Sequence, residues 1–130
     1  MMLNMKKKDD TGFQDFELRL YESAVRGNPN NIPALSALGS LYTRMSQLEK
    51  ALEIDKRLVT LIPEDSVCHY NLACSFALMN QPDKAFNELE MAILLGYNNL
   101  EHMLKDPDFN SIRNDLRFQE IAKKLSSKPS

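Results

Sequence analysis

Leu35-Ser36-Ala37-Leu38-Gly39-Ser40-Leu41-Tyr42 and, 34 residues further on, His69-Tyr70-Asn71-Leu72-Ala73-Cys74-Ser75-Phe76 carry one pattern twice. A large residue opens it, Leu followed by Gly or Ala stands at its middle, and an aromatic closes it. The same shift holds outward from there: Met45 falls on Met79, Gln47 on Gln81, Lys50 on Lys84, Ala51 on Ala85 and Leu61 on Leu95. Recurrence in phase at a period of about 20–50 residues marks a stacked repeat architecture.

Within each copy the apolar residues keep helical spacing. Leu35, Leu38, Leu41 and Tyr42 form one stripe, and after Ser46-Gln47 the period resumes with Ala51, Ile54, Leu58 and Leu61. The second copy reads Leu72, Ala73, Phe76 and Met79, then, past Gln81-Pro82, Ala85, Leu89, Ala92 and Ile93. The breaks have capping chemistry. Asn30-Asn31 before Pro33, and Asp65-Ser66, can satisfy the free N–H groups of a helix start. Pro82 suits a first turn, where its missing N–H has no partner to lose. Gly27 and Gly96 stand just past helix ends, where a left-handed residue is often needed.

Gly39 and Ala73 predict how the helices of each pair meet. A glycine inside a helix costs about 1 kcal/mol in propensity. Close approach of the following helix near Ala51 or Ala85 offsets that cost, because backbones come together only where side chains are small. The reading is a set of antiparallel helix pairs.

At these residues the chain resembles the tetratricopeptide repeat family: Leu35, Leu38-Gly39, Tyr42, Ala51 and the closing Pro63, then His69, Leu72-Ala73, Phe76 and Ala85. A partial unit with Tyr21, Ala24 and Pro29 precedes them. Asp55 stands where the family has an aromatic, and Tyr97 replaces the second closing proline. The tail, with Gly96-Tyr97, Leu100, Asp106-Pro107-Asp108-Phe109 and Arg113-Asn114-Asp115-Leu116-Arg117-Phe118, is similar to the ending of many bacterial repeat proteins of this kind. The resemblance implies an all-α, right-handed α-solenoid of stacked antiparallel helix pairs with capping helices at both ends. The expected organisation is a disordered tail over 1–10 and one domain over 11–125. That domain holds a capping half-repeat at 11–31, repeats at 32–65 and 66–99, and a degenerate repeat and cap at 100–125. A disordered tail over 126–130 follows. In the first cap Phe13, Phe16, Leu20 and Ala24 are expected to cover the open end of the stack. In the last, Phe118, Ile121, Ala122 and Leu125 do so after a short helix over Leu100–Lys105 that stops before Pro107.

The composition agrees with a globular interaction domain. The 130 residues are 43% hydrophobic and 26% charged, enough for a core without staples. A formal net charge of -2 leaves no basic surplus for phosphates, so no nucleic acid is expected. Lys6-Lys7-Lys8 has no apolar run behind it, which argues against a secretory signal, and no apolar run is long enough for a membrane span. Cys68 and Cys74 are six residues apart on one helix, roughly 9 Å along its axis and too far for a disulfide. A reducing, cytoplasmic setting follows.

The residue inventory points away from catalysis. No phosphate loop, nucleophile elbow or paired histidines on a helix occur. A metal site from Cys68, His69, Cys74 and His102 lacks the tight spacing of structural zinc motifs, and buried thiols with a packing imidazole are the simpler reading. Glu88 with Glu90, and Asp106 with Asp108, read as solvated charges, the latter two flanking a helix stop. Met45, Met79, Met91 and Met103 read as core filler. No enzyme activity, metal or cofactor is expected.

In a stack of this kind the first helices line the concave side. The positions left over from packing are Ser36, Ala37, Ser40, Thr43 and Arg44 in the first repeat, and Val67, Tyr70, Asn71, Cys74 and Leu78 in the second. Tyr70 suits a contact surface and Asn71 can hold a peptide backbone, or bond within the stack. Co-chaperone members grip a carboxylate with lysines, an arginine and asparagines; only Asn71 matches here, so that clamp is not expected. The functional expectation is a module that binds a protein or peptide partner in this groove. The alternative is a structural subunit that self-associates as a homo-oligomer.

Overall fold

The computed structural model describes residues 2–127, with the backbone alone over 2–11. It is all-α among those residues. Helices α1 (Met2–Gly27), α2 (Ile32–Arg44), α3 (Leu48–Leu61), α4 (Ser66–Leu78), α5 (Pro82–Leu94) and α6 (Leu100–Lys105) are followed by a 3₁₀ turn, Pro107–Phe109, and by α7 (Leu116–Ser127). The chain forms two compact units, residues 1–54 and 55–130, with the division inside α3 and so inside the repeat read over 32–65. The tail read over 1–10 continues α1 as backbone from Met2 onward; Leu3, Met5 and the lysines are good helix formers. Ser126 and Ser127 complete α7, and 128–130 lie outside the described residues.

In the first unit α1 packs on α2. The Asn31 side chain accepts from the Ala34 N–H at 3.1 Å and starts α2, with Pro33 in its first turn. Leu38, Tyr42 and Ala51 form the core, joined by Leu18, Tyr21, Val25 and Ile54. The Tyr42 hydroxyl donates to Glu22 at 2.6 Å. Burial first, then the Glu22 bond and charge, push that hydroxyl up to about 12. Phe13, Phe16 and Leu20, expected to cover the end of the stack, are 62%, 56% and 52% exposed. Two apolar stripes share α1, and the one carrying Leu18, Tyr21 and Val25 fits against Leu38 and Tyr42.

The second unit is built on α4 and α5, which pack against each other with Ala73 and Ala85 both fully buried. Asp65 caps α4 through the Cys68 N–H at 3.0 Å. Phe76, Leu72 and Leu89 fill the core, and α7 closes on α5 and α6 with Phe118, Ile121 and Leu125 buried. Arg117 ties this end together, pairing with Asp83 at 2.7 Å and Asp115 at 3.0 Å while lying 4.4 Å from the Phe86 ring. Ser111 donates to the Ala77 carbonyl at 3.2 Å. Of the methionines read as core, Met103 is fully buried and Met91 is exposed.

Three helices end in the same way. After α2, Ser46 N–H bonds Thr43 O and Gln47 N–H bonds Tyr42 O; after α4, Asn80 bonds Ala77 and Gln81 bonds Phe76; after α5, Gly96 bonds Ile93 and Tyr97 bonds Ala92. These are Schellman ends, with the residue after the cap at positive φ: 58° at Ser46, 58° at Asn80 and 112° at Gly96. Gly96 takes that backbone without strain. Ser46 accepts it at a cost of roughly 1–2 kcal/mol, and Asn80 at less, because a short amide side chain can bond locally in this region.

Candidate functional site

The surface left by packing is best seen on α4. From Val67 to Ala77 every residue is buried except Val67 and Asn71, one helical turn apart. Val67 is 55% exposed, an apolar side chain in water on a helix that is otherwise enclosed. Asn71 beside it offers two donors and an acceptor. On α2, Ser36, Ser40 and Arg44 are exposed, with Ala37 and Thr43 half-buried; in the 34-residue register they match Tyr70, Cys74 and Leu78, while Val67 and Asn71 match Pro33 and Ala37. The Thr43 hydroxyl is used within its helix, donating to Gly39 O at 3.1 Å. Arg44 is loosely tethered to Glu17 at 3.7 Å with most of its side chain in solvent. Leu78 is half-buried at the end of α4.

Two residues read as groove surface are not surface. Tyr70 is 3% exposed and Cys74 is buried, because the chain returns over α4 through Tyr97 and the 3₁₀ turn. The Tyr70 ring stacks on Tyr97 at 4.3 Å and meets the edge of Phe109 at 5.4 Å. Its hydroxyl donates to Asp106 Oδ2 at 2.7 Å, and the Cys74 thiol reaches the same oxygen at 3.7 Å. Burial first, and then the Asp106 bond, push the Tyr70 hydroxyl far up. Burial, with the charges of Asp106 and Asp108, does the same to the Cys74 thiol.

Asp106, read as a solvated charge beside a helix stop, is buried. Its Oδ1 accepts from the Asp108 N–H at 3.0 Å and so starts the 3₁₀ turn. Arg113 donates to the main-chain carbonyls of Leu104 and Asp106 and holds that corner in place. The signal that could have exposed this arrangement was the pairing of an Asp-Pro-Asp-Phe segment with aromatics at 70 and 97. Its distance along the chain concealed it.

His69 and Cys68 do not join Cys74 and His102. His69 places Nδ1 2.6 Å from Glu88 and Nε2 2.6 Å from the Pro63 carbonyl. Burial alone would lower its pKa, but these two bonds and the charges of Glu88 and Asp65 outweigh that and raise it. Glu88 is thereby half-buried and partnered, not simply solvated. Cys74, Asp106 and Asp108 do come together, with a ligand atom from each within 4.8 Å of the others. Both cysteines are free thiols.

A second apolar surface went unread in the sequence. An open groove of about 590 Å³ runs between α5 and α7, lined by Met91, Ile93, Leu94 and Ile121 with Asn87, Glu90, Lys124 and Ser127. Leu94 is 75% exposed there. No helix among the described residues is long and apolar enough to cross a membrane.

Comparison with known proteins follows the same lines. A tetratricopeptide repeat family model matches residues 20–53. A chloroplastic protein of Arabidopsis thaliana is 29% identical over 90 residues, which are 67% of this chain and 27% of that protein. The general transcriptional corepressor trfA of Dictyostelium discoideum is 32% identical over 85 residues, 65% of this chain and 6% of that protein. The chain thus spans about a quarter or less of these curated relatives. Among solved structures, a crystal structure of MamA superposes with a TM-score of 0.71 at 23% identity, covering 92% of this chain and 68% of that one. A further MamA structure, MamA MSR-1 C2, gives 0.67 at 18% identity over 90% of this chain and 70% of its own. The likeness to these structures is one of fold, an all-α helical-repeat solenoid.

Proposed function

Because the chain belongs to the tetratricopeptide repeat family, we propose that it is a protein–protein interaction module that performs no chemistry of its own. Proteins of this family generally mediate interaction or scaffolding. The partner is a peptide or protein surface taken up by the first helices of the repeats. On α4 the contact residues narrow to Val67 and Asn71, with Leu78 at their margin; on α2, taken by itself, the candidates are Ser36, Ser40 and Arg44, with Ala37 and Thr43 at theirs.

The observation that carries the reading is Val67 and Asn71. An exposed β-branched apolar residue next to an uncommitted amide, on a helix buried everywhere else along that stretch, suits an interface core rimmed by polar groups. A photo-crosslinking residue placed at Asn71 should capture one partner from native cells, and the same residue at Glu120 should not. Val67→Asp should abolish that capture while shifting Tm by no more than about 2 °C, the range of a surface substitution. Equal capture from both positions, or capture undiminished in Val67→Asp, would remove this surface from consideration.

A second reading, self-association, is favoured by the exposed stripe of Phe13, Phe16 and Leu20 on α1 and by the exposed Leu94 beside the α5–α7 groove. Amphipathic helices dock into such grooves through anchors at three- and four-residue steps.

A further inference from the structure

Two apolar surfaces on separate helices face solvent, and they match each other in length and in the charges along their edges. On α1, Phe13, Phe16 and Leu20 follow one another at steps of three and four residues, each more than half exposed. They lie on the side of α1 away from Leu18, Tyr21 and Val25, which pack against Leu38 and Tyr42. Three large apolar side chains in one row exceed the scattered exposure that is ordinary for a surface. The other surface is the open groove of about 590 Å³ between α5 and α7, where Met91 and Leu94 are exposed beside the buried Ile121.

The row from Phe13 to Leu20 rises about 10 Å along its helix, and the α5 wall of the groove from Asn87 to Leu94 spans the same number of residues. The edges carry opposite signs. On α1 the row has Arg19 along one side and Glu17, 3.7 Å from Arg44, along the other. The groove has the exposed Glu90 on its α5 wall and the exposed Lys124 on its α7 wall. One polarity of a docked α1 sets Arg19 toward Glu90 and Glu17 toward Lys124, and the reverse polarity sets like charges together. Rim charges of this kind select an orientation, while the buried apolar anchors supply the affinity.

We propose that the exposed row of α1 in one copy of this chain docks into the α5–α7 groove of a second copy, with Phe13, Phe16 and Leu20 as anchors. This pairing rests on the self-association reading and names the two surfaces that meet. Amphipathic helices enter apolar grooves through anchors at just such three- and four-residue steps. The contact is heterologous, because each copy offers a row to one groove and a groove to another row. Repeated, it closes into a ring of copies or grows as an open chain.

The test uses the full chain and two variants changed at exposed positions, Phe16→Glu in the row and Leu94→Glu in the groove, each checked for unchanged far-UV circular dichroism. In sedimentation velocity the parent mass should rise with concentration, and either variant alone should associate at least about 10-fold more weakly. An equimolar mixture of the two should regain association as a two-chain species. The intact groove of Phe16→Glu then receives the intact row of Leu94→Glu. A parent that is monomeric at every concentration overturns both this pairing and self-association, and leaves the groove to a different protein. A parent that associates while Leu94→Glu associates equally well overturns the pairing and leaves self-association standing through another contact, such as row against row. A mixture no more associated than its components overturns the pairing in the same way.

Discussion

At the scale of single residues, Asp55 shows how a departure from a pattern is absorbed. It occupies a position where the family carries an aromatic, and it is buried, with the Ser75 hydroxyl donating to it. Burial raises its pKa from 3.8 to about 6, against the opposing effect of the Ser75 bond. The folded carboxyl thus holds its proton more tightly than the unfolded one. The stabilisation from the protonated form is complete below 3.8 and is lost as pH rises through about 6. Asp55→Asn keeps an acceptor for Ser75 and cannot ionise. Its stability relative to the parent should therefore improve by on the order of 2 kcal/mol between about pH 4 and about pH 8. Denaturant unfolding at both pH values measures the change, and a gap independent of pH would show that Asp55 is not the titrating group. His69 was legible only as a packing imidazole. Its bonds to Glu88 and to Pro63 appear once α4 and α5 are side by side.

Among the elements, the helix pairs were readable because their signals are local. Asn31, Asp65, Pro82 and Gly96 each act within a few residues of their own position, and all four do in the fold what their chemistry predicts. The face that α1 presents was not readable. Its two apolar stripes are equivalent as periodicity, and only contact with Leu38 and Tyr42 selects between them. The C-terminal segment was expected as a cover, and its last helix is one. Its reach back to Tyr70 was not expected. Phe109 is the hinge of that reach, fully buried between Tyr70 and Phe118 at 5.4 and 5.7 Å. Phe109→Ala should cost about 3–5 kcal/mol and flatten the near-UV circular dichroism of the tyrosines while far-UV helicity persists. A loss below about 1 kcal/mol, under the range for a buried phenylalanine, would mean that the turn is not part of the folded unit.

For the whole molecule, the two compact units and the family match support an interaction role, and the question at this scale is whether the chain meets itself. The exposed Phe13, Phe16 and Leu20 are the feature that distinguishes the outcomes. If self-association uses that stripe, the weight-average mass from light scattering should climb with concentration, and Phe16→Glu should return it to the monomer. A parent chain that is monomeric at every concentration removes the self-association reading and leaves the surface around Val67 and Asn71 as the working face.

The sequence by itself determined the helix pairs, their 34-residue period, the caps at Asn31 and Asp65 and the left-handed turn at Gly96. All of these arise from hydrogen bonds and side-chain spacings that recur within a turn or two of chain. It did not determine the end of α1, where Gly27 is the last helical residue without positive φ. Tertiary structure decided that Tyr70 and Cys74 are core, that Asp106 is buried, and that Cys74, Asp106 and Asp108 share one corner. Those contacts join positions 32 and 36 residues apart. Their formation depends on where the chain returns, and no local periodicity encodes that path.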